Sequence, residues 1–326
     1  MGKWHLGFSW ETSPNAQGFD SFFGHHSGCI DFYSHTFYWH GNEPHHHDLY
    51  RNREEVHEEG QYMTHLITRE ATAFIDAHRN EPFLLYVPFN APHYPMHAPT
   101  EYVDAYADLP RERRLYAAMV TAMDESIGAI VDRLDKHQLR DDTMELFMSD
   151  NGPTPAARAN GWGGSSGPFR DHKFSLFEGG IRMPAILSWP GRVPLNETRG
   201  QLTIAMDVFA TVADAIQATL PEGRTIDGRS WLPFLENNAA PGHETLYWSW
   251  AAQDAVRQGK WKLVHNGIIT LGMSKQRRAD GPNKTFLANL DADPGEEINL
   301  AERHPEVVKQ LLALRDDWKA FVNSAD

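Results

Sequence analysis

Cysteine is almost missing from this chain. Cys29 is the only one in 326 residues, so no disulfide forms within it. That agrees with a reducing compartment, although a core of the size this length permits needs no disulfide anywhere. Positive charge is also in short supply, with 30 Lys and Arg against 44 Asp and Glu and a formal net charge of -14. Nucleic-acid binding depends on clustered cations that release counterions, and this balance argues against it. An anionic small molecule stays open, because a few local cations in a cleft outweigh a distant net charge. Long apolar runs are lacking too, and nothing approaches the length of a membrane span. Lys3 starts no apolar stretch, and Trp4, His5 and Glu11 break up the residues after it, so no signal peptide is expected here. Leu6 stands where a myristoylation signal needs Ser or Thr. Taken at face value, such a start reads as cytoplasmic.

The composition present is globular, at 41% apolar and 11% aromatic, and the length fits one large domain plus a small one. The opening GKWHLG sets Lys3 and His5 two residues apart. In an extended segment they share a face and reach one small anion together, with Trp4 turned into the packing behind; a frayed terminus is the other reading. The first sixty residues are otherwise loop-like. His45, His46 and His47 form a run in which a metal cluster competes with a solvated loop; the loop is favoured, because three adjacent histidines cannot all face one ion.

Helical spacing begins at Tyr62 and runs through Met63, Leu66, Ile67, Phe74 and Ile75. FLLYVPFN (83–90) then reads as a strand buried on both faces, ending in APHYP. A second helix is predicted from Arg111 to His137. A further buried strand, TMELFM (143–148), ends in SDNG; another falls in PAILSWPG (184–191), and MDVFATVADAIQA is helical. Alternating apolar strands and helices predict an α/β fold with a mostly parallel sheet covered by helices on both sides. LENNAAPGHE (235–244) reads as a linker, which divides a domain over 1–238 from a smaller one over 239–326. In the smaller, TLYWSW, DAVRQGKWKLVHN and TFLANLD read as antiparallel strands, and a helix from Pro305 to Phe321 closes an α+β unit.

Ligands of open parallel sheets sit beyond the carboxyl ends of the strands. His93 follows FLLYVPFN, and Asp150 and Asn151 follow TMELFM. Asp and Asn oxygens are hard ligands suited to calcium or magnesium. Each also has a plain reading, SDNG as a turn and His93 as a packed loop histidine. Lys173 lies in FRDHKFSLFEGGIRMP, where Gly179 and Gly180 permit a sharp entry into the next strand; a lone lysine is otherwise a surface charge.

In order and separation, GKWHLG, NAPHYP, FMSDNG and HK…EGGIRMP resemble the sulfatase family. The resemblance continues through DGRSWLPFL (227–235), GKWKL (259–263) and LDADPGEEINLA (290–301), and so covers nearly the whole chain. It implies an alkaline-phosphatase-like fold and hydrolysis of a sulfate monoester, such as a sulfated sugar or an aryl sulfate. It implies that Asp150 and Asn151 ligate a divalent cation, usually calcium. Lys3, His93 and Lys173 would surround the ester, with His93 and Lys173 near the leaving oxygen, and His5 would assist breakdown of the sulfated intermediate. Cations and a metal fixed around a charge-spreading transition state lower its barrier. The six residues are expected to converge on one cleft.

The family's nucleophile is a formylglycine made from Cys or Ser in a Cys/Ser-x-Pro-x-Arg motif upstream of GKWHLG, with a pair of acidic metal ligands farther upstream. Neither is present in this chain, and an N-terminal segment carrying both is expected to precede it. By the same resemblance the full-length form is periplasmic, secreted or lysosomal. Cys29 has no Pro or Arg at the required offsets and reads as a small packed residue. SWPGR, beginning at Ser188, matches the motif letter for letter, but it stands after EGGIRMP, where the family has an ordinary strand-end turn. Two other classes stay open: a non-catalytic sulfatase-like protein that binds an anion, and a phosphate or phosphonate ester hydrolase of the same superfamily.

Overall fold

The computed structural model describes residues 1–39, 45–155, 164–237, 242–270, 277–278 and 285–324. Two compact units divide the chain. One comprises 1–140 with 156–164, and the other 141–155 with 165–326. The boundary expected between 238 and 239 falls inside the second unit, and residues 238–241 of the expected linker lie outside the described residues.

The first unit opens with β1 (Gly2–Lys3) and continues through β2 (Phe23–His25), β3 (Thr36–Phe37), β4 (His46–His47), β5 (Tyr50–Arg51) and β6 (Glu54–Glu55). These two- and three-residue strands match the loop-like reading. β1 and β2 pair in parallel, and β5 and β6 extend that sheet antiparallel. β1 approaches its neighbours so closely that only glycine fits. A Cβ on Gly24, whose φ is +153°, would stand 1.8 Å from the Gly2 carbonyl oxygen, and one on Gly2 would stand 2.3 Å from that of Pro88. Two helices cover the core: α1 (Met63–His78) buries Met63, Leu66, Ile67, Ala71 and Ile75 at helical spacing, and α3 (Arg111–Lys136) buries Ala118, Met119 and Ala122. The short α2 (Thr100–Asp104) lies between them in sequence. Cys29 is buried in the same core beside Phe23, Ile30 and Phe32, as its packed reading requires.

FLLYVPFN departs from its expected burial. The segment is also not one of the strands of the structure, although its carbonyls at Tyr86 and Pro88 accept from the Met1 amine and the Lys3 amide at 2.7 and 2.8 Å, and burial alternates along it. Val87 and Phe89 pack on the core, whereas Leu84 and Tyr86 stay 62% and 53% exposed. An unbroken apolar run signals burial on both faces only when both faces have a neighbour.

In the second unit β7 (Glu145–Met148) pairs with β8 (Ala185–Ser188), and between them lies α4 (Glu178–Ile181). This pair corrects the expected parallel arrangement: it is antiparallel, and among the described residues only β1 and β2 pair in parallel. A parallel crossover usually runs through a helix that covers the sheet. The only described helix between β7 and β8 is the four-residue α4. Ile186 is 61% exposed, so these strands too are open on one side.

Helix α5 (Asp207–Ala215) and α6 (Leu232–Asn237) come next. Buried Asp207 ties in the DGRSWLPFL stretch, accepting from the Arg229 amide at 2.9 Å and Trp231 Nε1 at 3.2 Å, while His243 Nε2 lies 2.6 Å away. The antiparallel C-terminal sheet is present as read. β9 (Thr245–Trp250), β10 (Gln253–Gln258), β11 (Trp261–His265) and β14 (Thr285–Asn289) pair in that order, with β12 (Ile268–Ile269) and β13 (Arg277–Arg278) as a separate pair. Helix α7 (Pro305–Asn323) packs Leu311 against Val256, Leu263 and Leu287 of the sheet.

Candidate active site

Lys3, His5 and His93 belong to the first unit, and Asp150, Asn151 and Lys173 to the second. Lys3 ends β1, paired to His25 on one side and bonded through its amide to Pro88 on the other. The segment holding Pro88 leads five residues on to His93. His5 leaves the extended conformation, with φ at +58°, so the simple i, i+2 face does not apply to it. Its amide donates to the His26 carbonyl at 3.0 Å, and its ring lies against Gly28, where a Cβ would meet Nε2 at 2.3 Å. Trp4 turns inward as expected, donating Nε1 to the Thr12 carbonyl at 2.7 Å and packing edge-on to Phe19.

His93 Nδ1 lies 2.7 Å from the Tyr94 carbonyl oxygen. A carbonyl only accepts, so Nδ1 carries a proton and the second exchangeable site is Nε2. Asn90, three residues earlier and 4% exposed, has both amide atoms buried with no hydrogen-bond partner. It went unnoticed in the sequence, although a polar residue at the end of FLLYVPFN meets the strand-end criterion that picked out His93. Fully buried His25, next to Lys3 in the ladder, is pushed down to about 3 by burial, with Lys3 adding to the effect against Asp48. It is neutral at ordinary pH.

In the second unit β7 delivers Asp150 and Asn151 just beyond its last residue. Asn151 Oδ1 is buried and has no donor facing it. Lys173 is brought to the same turn by its main chain, its amide donating to the Pro153 carbonyl at 2.9 Å, and the Gly152 amide reaches Gly180 at 3.0 Å. Gly179 and Gly180 have a reason different from the expected one. Neither has a positive φ, but a Cβ on Gly179 would lie 2.2 Å from the Asp171 carbonyl oxygen, and one on Gly180 would lie 2.1 Å from that of Ser175. The Lys173 loop lies directly against them. Ser188 sits at the wrong end of the hairpin: it pairs with Glu145, the start of β7, three strand residues (~10 Å) from the end that leads to Asp150.

The loop is braced from beneath by a buried ion triad. Lys262 Nζ on β11, fully buried, lies 2.8 Å from Glu178 Oε1 and 3.0 Å from Glu296 Oε1. Glu296 Oε2 accepts the Glu178 amide at 2.5 Å, and its carbonyl accepts Arg170 Nη1 at 2.8 Å. Burial alone would raise the Glu178 carboxyl, yet Lys262, with Arg257 and Arg182 behind it, brings it below the usual range. Burial does raise Glu296, and Lys262 offsets only part of that. EGGIRMP, GKWKL and LDADPGEEINLA, far apart in sequence, therefore each contribute one member.

Two family profiles match the chain: "Sulfatase" over residues 1–218, and "N-sulphoglucosamine sulphohydrolase, C-terminal" over 165–317. Human arylsulfatase G is 32% identical, over 100% of this chain and 70% of its own length. Mouse arylsulfatase J is 29% identical over 96% of this chain, which spans 58% of that relative. Among solved structures, Ps i-CgsB in complex with k-i-k-neocarrahexaose superposes with a TM-score of 0.82 at 26% identity, covering 97% of this chain and 70% of that one. The structural neighbours have the alkaline-phosphatase-like fold expected from the motifs. With the first profile spanning two thirds of its length and the motifs in their expected order, the chain belongs to the sulfatase family.

Proposed function

We propose that this chain contributes the cation-rich part of the active site of a sulfuric ester hydrolase acting on a sulfated sugar or aryl sulfate. The observation that supports this is the hydrogen bond from the Lys173 amide to the Pro153 carbonyl, which brings the backbone of that lysine to the turn that bears Asp150 and Asn151. In the second unit Lys173 holds sulfate oxygens, and its charge stabilises the transition state as negative charge spreads over the ester; the family resemblance gives Lys3 of the first unit the same role. His93, protonated at both nitrogens, keeps Nδ1 on the Tyr94 carbonyl and delivers the Nε2 proton to the departing alkoxide oxygen. His5 takes a proton during breakdown of the sulfated enzyme.

Asp150 and Asn151 fit a divalent cation, calcium by the family's habit, because a carboxylate and a buried amide oxygen without a donor are hard ligands. Calcium takes six to eight oxygens, so these two residues are part of its shell. When bound, the cation supplies positive charge beside the sulfate oxygens. The formylglycine nucleophile has no placed counterpart among these residues, Ser188 being at the far end of its hairpin.

Two measurements test the proposal. With millimolar calcium, this chain should bind a 6-sulfated N-acetylhexosamine, and Lys173→Ala and Asp150→Ala should each weaken binding at least tenfold. A form extended upstream by a Cys/Ser-x-Pro-x-Arg segment should hydrolyse 4-methylumbelliferyl sulfate in preference to the matched phosphate. Equal binding by the wild-type and Lys173→Ala chains, or preference for phosphate, refutes the assignment.

A further inference from the structure

The histidine run 45–47 plays no part in that chemistry, yet the structure separates its members. β4 pairs with β3, setting His46 opposite Phe37 and His47 opposite Thr36, so consecutive histidines point to opposite faces. His46 packs edge-on against Phe37. His47 turns the other way and meets residues from the next loop. Its ring stacks on that of His57 at 4.5 Å, and His57 Nδ1 lies 3.0 Å from Glu59 Oε1. One ligand atom from each of His47, His57 and Glu59 can be chosen so that all three lie within 4.8 Å of one another.

Three further observations show preparation of this cluster. His47 Nδ1 lies 2.9 Å from Glu55 Oε1, and a carboxylate on one ring nitrogen fixes the tautomer that leaves the other as a lone-pair donor. That other nitrogen, Nε2, is buried and has no hydrogen-bond partner. The loop bearing His57 and Glu59 is tied at both ends, by the Val56 amide to Leu49 at 2.9 Å and the Gly60 amide to Tyr33 at 2.8 Å. His57 and Glu59 side chains are 61% and 56% exposed, free to close on an ion that His47, at 15%, awaits.

We propose that His47, His57 and Glu59 bind a divalent transition-metal ion of the zinc class, with Glu55 orienting His47. Two imidazoles and one carboxylate are a borderline donor set that suits zinc, whereas calcium requires oxygen throughout. Ligands about 2.0–2.1 Å from a tetrahedral ion stand about 3.4 Å apart. The His57–Glu59 spacing already matches, and the remaining contraction is a rotation of two exposed side chains. The fourth position faces solvent and takes water. The site is independent of the sulfate-ester reading and stands whether or not that reading holds.

The test is calorimetric titration of the metal-stripped full chain with Zn²⁺ alone, in millimolar calcium so that oxygen-ligand sites are filled. One equivalent should bind, with His57→Ala and Glu59→Gln each weakening it at least tenfold and Glu55→Gln roughly tenfold through loss of orientation. Both ligand variants are at exposed positions, and an unchanged circular dichroism spectrum confirms their fold. Co²⁺ should give a visible d–d band that His57→Ala abolishes. Absence of saturable Zn²⁺ uptake overturns the proposal. So does uptake that survives His57→Ala and Glu59→Gln but disappears when His45 and His46 are replaced.

Discussion

Replacing Lys262 by methionine tests the buried triad most directly. Methionine nearly preserves volume but removes the one charge that both Glu178 and Glu296 contact, at 2.8 and 3.0 Å. Glu178 retains the more distant Arg182 and Arg257, at 3.4 and 3.8 Å. Glu296, fully buried and already raised, is left with a backbone amide. Breaking a buried ion pair from one side costs about 3–5 kcal/mol. Against a typical stability of about 5–15 kcal/mol, that is a large fraction. For a chain this long, melting should fall by on the order of 4–7 °C. The loss should also depend on pH. Without Lys262 the folded-state pKa of Glu296 rises further above its unfolded value, so the folded protein binds more protons between the two. Stability of the variant therefore falls as pH rises through that window, and its deficit at pH 8 should exceed that at pH 5. Each unit of added pKa shift contributes about 1.4 kcal/mol. Thermal unfolding followed by tryptophan fluorescence reads this directly, since Trp248 and Trp261 lie in the sheet itself. A deficit under about 1 kcal/mol, or one equal at both pH values, would refute the claim that Lys262 compensates two buried carboxylates.

Two other outcomes rest on backbone placement. Gly179→Ala should cost about 1–3 kcal/mol by overpacking, because its Cβ would lie 2.2 Å from the Asp171 carbonyl oxygen; it should also weaken sulfated-ligand binding by moving Lys173. Unfolding midpoints together with a binding isotherm check this, and a variant unchanged in both refutes it. Residues 1–326 alone should show no turnover of an aryl sulfate; activity abolished by Ser188→Ala would make SWPGR the nucleophile motif after all.

The helices were legible because their apolar spacing is local: Met63 to Ile75 predicts the buried face of α1, and the predicted end at Phe321 falls within the last turn of α7. The C-terminal strands were legible for the same reason, each bounded by its own turn. Strand direction was not. Phe147 and Ile186 look alike in a parallel or an antiparallel pair, and only the connection between them decides. Asp150, Asn151 and Lys173 could be picked out by position and motif, but the Pro153 carbonyl that gathers them is a backbone group with no letter of its own. The ion triad was hidden differently. No local pattern marks Glu178, Lys262 and Glu296, and the 118 positions between the first and the last conceal that they are partners.

Around Lys173 itself, four bonds between peptide groups help to hold the loop: Lys173 to Pro153, Ser175 to His172, Gly179 to Arg170 and Gly152 to Gly180. Anchoring of this kind is blind to side-chain identity. Mutational drift at His172 or Pro153 leaves the carbonyls and amides that seat the lysine unaltered, provided the glycines survive, together with the Asp171, Ser175 and Gln253 side chains that also tie the loop. A lineage can thus reshape the surroundings of the ammonium, and with them the alcohol it accepts, while the root of that charge stays where it is.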